Sequence, residues 1–207
     1  YTKQVPDGKV RVIALGDSFT FGNNRLEDTW PAQLEGHRSD LEVINMGASA
    51  YGVDQMYLWY REDGVAFQSQ VVICAFIADD FLRTGLRKWS SGHGRPRFVI
   101  EGHKLKLTNV PVPERVEPGM RNVQLPDVES FVRSYLGGTP HQDTSNHYDE
   151  RVPVWLLAKL NRLVASNGGR FLAVFIPVAS DLQSTNRDFQ QKTRDALAQY
   201  EVPFLDT

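Results

Sequence analysis

Hydrophobic residues gather in five short runs along the chain. The runs are rich in Val, Ile, Leu and Phe, and short runs of this composition are typical of strands. They lie at residues 10–15, 41–45, 71–77, 171–176 and 202–205. The run at 71–77 is apolar throughout, which is typical of a parallel strand covered on both faces. The pattern therefore predicts five strands.

Helix signals fill the segments between these strands. Residues 32–38 follow a threonine and a proline, and residues 55–67 follow Asp54; all three residue types favour helix starts. Residues 187–200 are predicted as a further helix. Another helix is predicted from apolar residues at positions i, i+1, i+4, i+7 and i+8, namely Leu156, Leu157, Leu160, Leu163 and Val164. Asn167-Gly168-Gly169 is predicted to end this helix.

The alternation of strands and helices predicts an α/β fold. Such a chain forms a parallel sheet with right-handed crossovers and helices on both faces. In open sheets of this kind, ligands bind beyond the carboxyl ends of the strands. We therefore expect the chemistry of this chain just after its first three strands.

An irregular segment follows the third strand, at residues 82–127. It is rich in Gly, Pro, Arg and Lys, and a structureless loop of this length is unusual inside a compact domain. Residues 97–100 and 105–107 flank Glu101-Gly102-His103-Lys104 and predict a hairpin. We interpret the segment as an insertion that forms a lid or rim on a single domain covering residues 1–207. Its charges are expected on a solvated surface, namely Arg83, Arg87, Lys88, Arg95 and Arg97.

Composition and charge narrow the range of functions. The chain has 207 residues, 41% of them hydrophobic, and a formal net charge of −2, which fits one globular domain with a sizeable core. Near-neutral charge does not favour nucleic-acid binding, and no apolar stretch is long enough to span a bilayer. The single cysteine, Cys74, is interpreted as a small buried hydrophobe. Neither the compartment nor the oligomeric state follows from these numbers.

Two motifs carry the candidate chemistry. The first strand ends in Gly16-Asp17-Ser18, where a serine after a buried strand is placed to face a ligand; the alternative is an ordinary strand-to-helix turn. A phosphate loop is disfavoured because the glycine spacing and lysine of such loops are missing. The second strand leads into Gly47, whose backbone N–H is accessible for an oxyanion; the alternative is a tight turn that needs positive φ.

Together the two motifs resemble those of the SGNH/GDSL hydrolase family. Gly-Asp-Ser follows the first strand and Asn-x-Gly-x-x-x-x-Gly follows the second, and the resemblance runs from residue 10 to residue 205. It implies a flavodoxin-like three-layer α/β/α sandwich with a parallel five-stranded sheet. It also implies that Ser18 is the nucleophile and that the N–H groups of Ser18 and Gly47 bind the oxyanion. Tyr51 is expected to line an acyl or sugar pocket. Asp17 is placed beside the substrate, although its carboxylate is expected to hold the loop rather than to react.

The sequence departs from the family pattern in two places. The family's third block supplies an Asn as an oxyanion donor, whereas this chain has Asp79 there, or Ala78 after a shift of one residue. An ionised Asp79 repels an oxyanion, so we expect it to contribute only if burial keeps it protonated. The family's basic histidine lies in an Asp-x-x-His block, and none occurs near Thr207. We therefore expect the base in a segment that follows residue 207.

The histidines that are present are not assigned as the base. They are His37, His93, His103, His141 and His147. The spacing around Asp143 is compatible with a metal pair, but no Cys or Glu cluster supports one, and a surface loop is favoured.

Three hypotheses follow for the function. The first is a serine ester hydrolase that acts on a small-molecule, glycan or lipid ester without metal or organic cofactor and without a nucleic-acid partner. The second is a binding or accessory protein that keeps the fold and has lost the chemistry. The third, a flavodoxin-like nucleotide binder, is weakened because Asp17 would repel a phosphate.

Overall fold

The computed structural model describes residues 1–22, 25–89, 91–114, 148–178 and 184–206. Seven strands occur in this part of the chain, namely β1 (Val10–Gly16), β2 (Leu41–Gly47), β3 (Val71–Phe76), β4 (Arg97–Glu101), β5 (Lys104–Thr108), β6 (Arg170–Phe175) and β7 (Phe204–Asp206). Five of them form one parallel sheet in the order β2-β1-β3-β6-β7. The predicted parallel five-stranded sheet is confirmed.

Six α-helices occur in the same residues, namely α1 (Ser18–Phe21), α2 (Trp30–His37), α3 (Val53–Glu62), α4 (Ala78–Arg83), α5 (Arg151–Ser166) and α6 (Ser184–Ala198). Thr29 caps α2 by accepting a hydrogen bond from the Ala32 N–H, as the sequence predicts. The helix predicted at 55–67 is shorter, because α3 ends at Glu62 and a 3-10 turn covers Gly64–Phe67. Gly168 follows α5 at a φ of 79°, which confirms the glycine stop.

The two faces of the sheet bury different side chains because neighbouring residues of a strand point to opposite sides. In β1, Ile13 and Leu15 belong to the larger core, which also contains buried residues of α3, α5 and α6. Val12 and Ala14 belong to a second core, against which Trp30 and Leu34 of α2 pack. Helices therefore lie on both faces, and the fold is a three-layer α/β/α sandwich.

The hairpin expected after the third sheet strand is present. Strands β4 and β5 are antiparallel and turn at Gly102, whose φ is 60°. Phe98 of β4 is buried, and its ring lies edge-on to that of Tyr57 in α3 at 5.8 Å between centroids. The solvated surface expected for the basic residues is wrong for Arg95 and Arg97, which are 0% and 6% exposed; the Arg95 guanidinium lies over the Trp89 ring and faces the Asp54 carboxylate instead of solvent. Residues 115–127 of the insertion lie outside the described residues, and its role as a lid or rim stays a prediction.

Cys74 is a buried core residue, as predicted. It is fully inaccessible, and its sulfur lies 3.7 Å from the Met56 sulfur. Burial raises the pKa of its thiol, so it has little of the thiolate character that makes a cysteine reactive. Within the described ranges, no helix has both the length and the apolar composition needed to cross a bilayer.

Candidate active site

The first two strands end level with each other, which places the two sequence motifs side by side. Gly16 is the register partner of Gly47, and the Ala48 N–H donates to the Gly16 carbonyl at 3.0 Å. The chain then turns at Asp17 and begins α1 at Ser18. Ser18 is partly exposed while Asp17 is only 1% exposed. The serine thus lies at the protein surface beyond the carboxyl end of β1, where the sequence predicts a ligand site.

The turn after β1 is tight enough to require glycine. A Cβ on Gly16 would lie 2.0 Å from the Thr20 hydroxyl oxygen and 2.8 Å from the Ala75 carbonyl oxygen. Thr20 is fully buried and its hydroxyl accepts a hydrogen bond from the Trp30 indole at 3.3 Å. The packing of Thr20 beneath Gly16 therefore fixes where α1, and with it Ser18, begins.

The amide of Gly47 is hydrogen-bonded within its own loop. Its N–H donates to the Asn45 side-chain oxygen at 2.9 Å, and the Asn45 amide donates in turn to the Thr20 carbonyl at 2.9 Å. A Cβ on Gly47 would lie 2.3 Å from the Phe21 nitrogen. Glycine is needed here because the α1 backbone passes so closely, and its N–H is already used. The assignment of Gly47 as an oxyanion donor stays a prediction, which would require this N–H to leave the Asn45 oxygen.

The loop that follows Gly47 offers other amides. Ala50 has a φ of 61°, a left-handed conformation that is uncommon for a residue with a side chain and that recurs at functional sites. The Tyr51 N–H donates to the Ala48 carbonyl at 3.2 Å. The N–H groups of Ser49 and Ala50 have no hydrogen-bond acceptor among the residues that the structure describes.

A buried ionic cluster supports the serine turn from below. One oxygen of Asp17 accepts from the Phe19 N–H at 2.9 Å, and the other lies 3.2 Å from the Arg83 guanidinium. The same guanidinium donates to Asp80 at 2.6 Å, and Asp80 accepts from the Ile77 N–H at 3.0 Å. Arg83 thus joins the loop after β1 to the start of α4, which follows β3.

The charges of this cluster do not balance. Asp80 is fully buried, and burial raises its pKa well above the ordinary value; the negative charge of Asp17 adds to the rise, and Arg83 opposes it. Sequence reasoning missed this cluster. The available signal was the i, i+3 spacing of Asp80 and Arg83 directly after a buried strand.

Asp79 lacks the burial on which its predicted contribution to the oxyanion site depends. Its side chain is 46% exposed and lies 3.6 Å from the Arg83 guanidinium, so the burial that would keep it protonated is not found. The buried carboxylate is that of the next residue, Asp80. Ala78, the alternative at this position, is also buried.

The two residues expected beside the substrate differ in their surroundings. Both oxygens of Asp17 are engaged, by the Phe19 N–H and the Arg83 guanidinium, and the residue is buried; its contact with a substrate stays a prediction. Tyr51 is partly buried, and its ring lies edge-on to that of Trp59 at 5.8 Å. Its part in an acyl or sugar pocket stays a prediction.

No described histidine contacts Ser18. His37 closes α2, His93 pairs with the Ser91 hydroxyl at 2.9 Å, and His103 lies exposed at the turn of the hairpin. The described residues contain no group of three or more potential metal ligands. His141 and His147 lie outside the described residues, so the structure does not address the metal pair.

Comparisons with known proteins identify the fold. No family model and no curated protein matches the sequence. A lipolytic protein of the G-D-S-L family from Desulfitobacterium hafniense DCB-2 matches with a TM-score of 0.52 at 17% identity, over 96% of this chain and 77% of that chain. TesA matches with a TM-score of 0.53 at 12% identity, over 94% and 76%. AlinE4, an SGNH-hydrolase family esterase, matches with a TM-score of 0.50 at 13% identity, over 97% and 77%. The chain therefore has the fold of the SGNH/GDSL hydrolases.

Proposed function

We propose that this protein is a serine ester hydrolase with Ser18 as its nucleophile. The observation that carries the proposal is the placement of Ser18 as a partly exposed serine that opens a helix directly after a buried strand. The backbone on either side of Ser18 is constrained by the tight turn at Gly16, by the register of β1 with β2, and by the ion pair of Asp17 with Arg83. Solved structures of the same fold include proteins named as esterases, which supports the choice of reaction.

In the proposed reaction, the Ser18 hydroxyl oxygen attacks the ester carbonyl and forms a tetrahedral intermediate. The negative oxygen accepts hydrogen bonds from the Ser18 N–H and from the loop after β2, where the Ser49 and Ala50 amides have no other acceptor among the described residues. Collapse of the intermediate expels the alcohol and leaves an acyl-enzyme, which water hydrolyses. Donors fixed in place before the reaction are effective because they need no reorganisation.

Serine needs a proton acceptor to become a good nucleophile. Within residues 1–22, 25–89, 91–114, 148–178 and 184–206, none of the histidines meets Ser18. The base is therefore proposed to be a histidine outside these ranges, and every activity experiment below uses the full-length protein.

The substrate is proposed to be an acyl or acetyl ester of a carbohydrate or a lipid. Phe19 and Phe21 are 49% and 52% exposed on the helix that Ser18 opens. Apolar rings beside the nucleophile suit an ester with an apolar acyl or alcohol part. The carboxylate of Asp79, which follows β3 at the same end of the sheet, disfavours an ester substrate that carries a negative charge.

Hydrolysis of p-nitrophenyl acetate tests the proposal. The full-length protein is expected to hydrolyse the ester above the buffer rate, and Ser18→Ala is expected to reduce kcat/KM by at least about 10³-fold. Ser39→Ala is the control, because this exposed serine precedes β2, at the end of the strand opposite to Gly47, and should be replaceable without loss. Equal rates for the protein and Ser18→Ala would refute the proposal.

A second candidate, a binding protein that has lost the chemistry, is favoured by one observation. The half-exposed carboxylate of Asp79 stands where the resembling family has an amide donor. Losing one oxyanion donor costs on the order of 10²–10³ in turnover. Rates at the buffer level in the full-length protein would support this candidate.

A further inference from the structure

Arg95, which lies between α4 and the hairpin, has its side chain in the interior of the protein. Arg95 is 0% exposed, and its guanidinium lies over the Trp89 ring at 4.2 Å from the ring centre. Its backbone is held on both sides, because its N–H donates to the Arg87 carbonyl at 2.8 Å and its carbonyl accepts from the Asn109 amide. The backbone of Arg95 is therefore tied to the chain on both sides of the hairpin.

The tip of Arg95 reaches the first turn of α3. Its guanidinium lies 3.7 Å from the Asp54 carboxylate and donates a hydrogen bond to the Gln55 side chain. Asp54 is also fully buried, so the two charges face each other without water at their surfaces. Removing one partner of such a pair leaves an uncompensated buried charge, which is far costlier than removing both.

The same turn of α3 anchors the loop that carries the proposed oxyanion donors. Gly52 precedes α3, and its carbonyl accepts from the Gln55 and Met56 N–H groups at 3.1 Å. A Cβ on Gly52 would lie 2.7 Å from an Asp54 oxygen and 2.9 Å from the Thr84 nitrogen. Because the backbone is held this tightly, a shift of the start of α3 must also shift Ala50, two residues earlier.

We infer that Arg95 is a positioning residue that joins the hairpin to the start of α3 and thereby holds the loop at residues 48–52 in the geometry needed for ester hydrolysis. The inference rests on the proposed function for its catalytic consequence. The structural part of the inference, that Arg95 restrains the loop at residues 48–52, does not depend on the proposed function.

The test compares four variants of the full-length protein, one of which is Arg95→Met alone. Arg95→Lys keeps the charge but replaces the planar group that lies over Trp89 and donates to Gln55. The double variant Arg95→Met with Asp54→Asn removes both charges and so avoids a lone buried carboxylate. Lys106→Met is the matched control, since Lys106 is a cation of the same hairpin whose pair with Glu101 is exposed.

The kinetic result expected is a loss in kcat with little change in KM for p-nitrophenyl acetate. Mutations along a network that connects two sites change their coupling by roughly 2- to 30-fold, and we expect losses of kcat in this range for Arg95→Lys and for the double variant. Lys106→Met should retain the original kcat. The double variant should recover the melting temperature that Arg95→Met alone loses, but not kcat. Recovery of both would show that the pair only stabilises the fold and would overturn the inference.

Amide hydrogen exchange decides the inference even if no variant hydrolyses an ester. In Arg95→Lys and in the double variant, exchange of the hydrogen-bonded amides within residues 48–53, those of Ala48 and Tyr51, is expected to accelerate at least about threefold, while exchange in α5 stays unchanged. Absence of hydrolysis in the original protein would refute the proposed function alone. Unchanged exchange at residues 48–53 would refute the inference, whatever the hydrolysis rates.

Discussion

Asp54 gives the protein a pH dependence of stability that one substitution can isolate. Burial raises the pKa of this carboxyl from 3.8 to about 7, and the nearby Arg95 guanidinium opposes part of the rise. The perturbation is Asp54→Asn, which keeps the shape of the side chain and removes its titration. Since Asp80 titrates in both proteins, the difference between them reports mainly on Asp54.

The sign and size follow from the two pKa values. A carboxyl with a raised pKa in the folded state binds its proton more tightly when folded. Its contribution to stability is therefore complete below about pH 4 and is lost as the pH rises to about 7. The shift from 3.8 to about 7 corresponds to about 4 kcal/mol, at 1.36 kcal/mol per pKa unit. The free energy of unfolding of the original protein should fall by up to this amount, relative to that of Asp54→Asn, between about pH 4 and pH 8.

Urea unfolding at a series of pH values, followed by circular dichroism, measures this difference. The two curves of unfolding free energy against pH should diverge steadily through the window and run parallel above about pH 8. The exposed pair of Asp40 and Arg38 supplies the control, since Asp40→Asn should change the pH dependence by much less. A difference between the original protein and Asp54→Asn that stays constant within about 0.5 kcal/mol would refute the assignment of a raised pKa to Asp54.

Two further predictions concern the loops around Ser18. Gly47→Ala should lower the free energy of unfolding by about 1–3 kcal/mol, because the new Cβ would lie 2.3 Å from the Phe21 backbone nitrogen. Thermal unfolding measures this loss. The control is Gly36→Ala, which should be neutral or stabilising because Gly36 is an exposed helical glycine with open space around it. An equal effect of the two glycine substitutions would contradict the close approach at Gly47. Asp79→Asn should raise kcat for p-nitrophenyl acetate by about 10-fold or more, because it replaces a half-exposed carboxylate with an amide donor; an unchanged or lower kcat would place Asp79 outside the oxyanion site.

The sequence was sufficient to predict the sheet and the place of the serine. Buried parallel strands consist of continuous apolar runs, so 71–77 was recognisable without its neighbours, and the hairpin between 97 and 107 followed from its turn residues. The position of Ser18 follows from the same reasoning, because a residue directly after a buried strand must lie at the sheet edge.

The surroundings of individual polar residues could not be predicted in this way. Asp79 and Asp80 are adjacent and chemically identical, and only the turn of α4 decides that the second is buried beside Arg83. Arg95 belongs to a basic stretch that composition assigns to the surface, yet it pairs with a carboxylate 41 positions earlier. Gly47 was expected for its N–H, whereas the close approach of α1 explains the glycine. Each of these outcomes depends on contacts between segments that are distant in sequence.

Covalent trapping of Ser18 tests the assignment of the nucleophile most directly. The full-length protein is incubated with a fluorophosphonate, which phosphonylates activated serines, and the modified peptide is identified by mass spectrometry. We predict one adduct per chain, on Ser18, and no adduct in Ser18→Ala. An unmodified protein, or an adduct on a different serine, would contradict the assignment of Ser18 as the nucleophile.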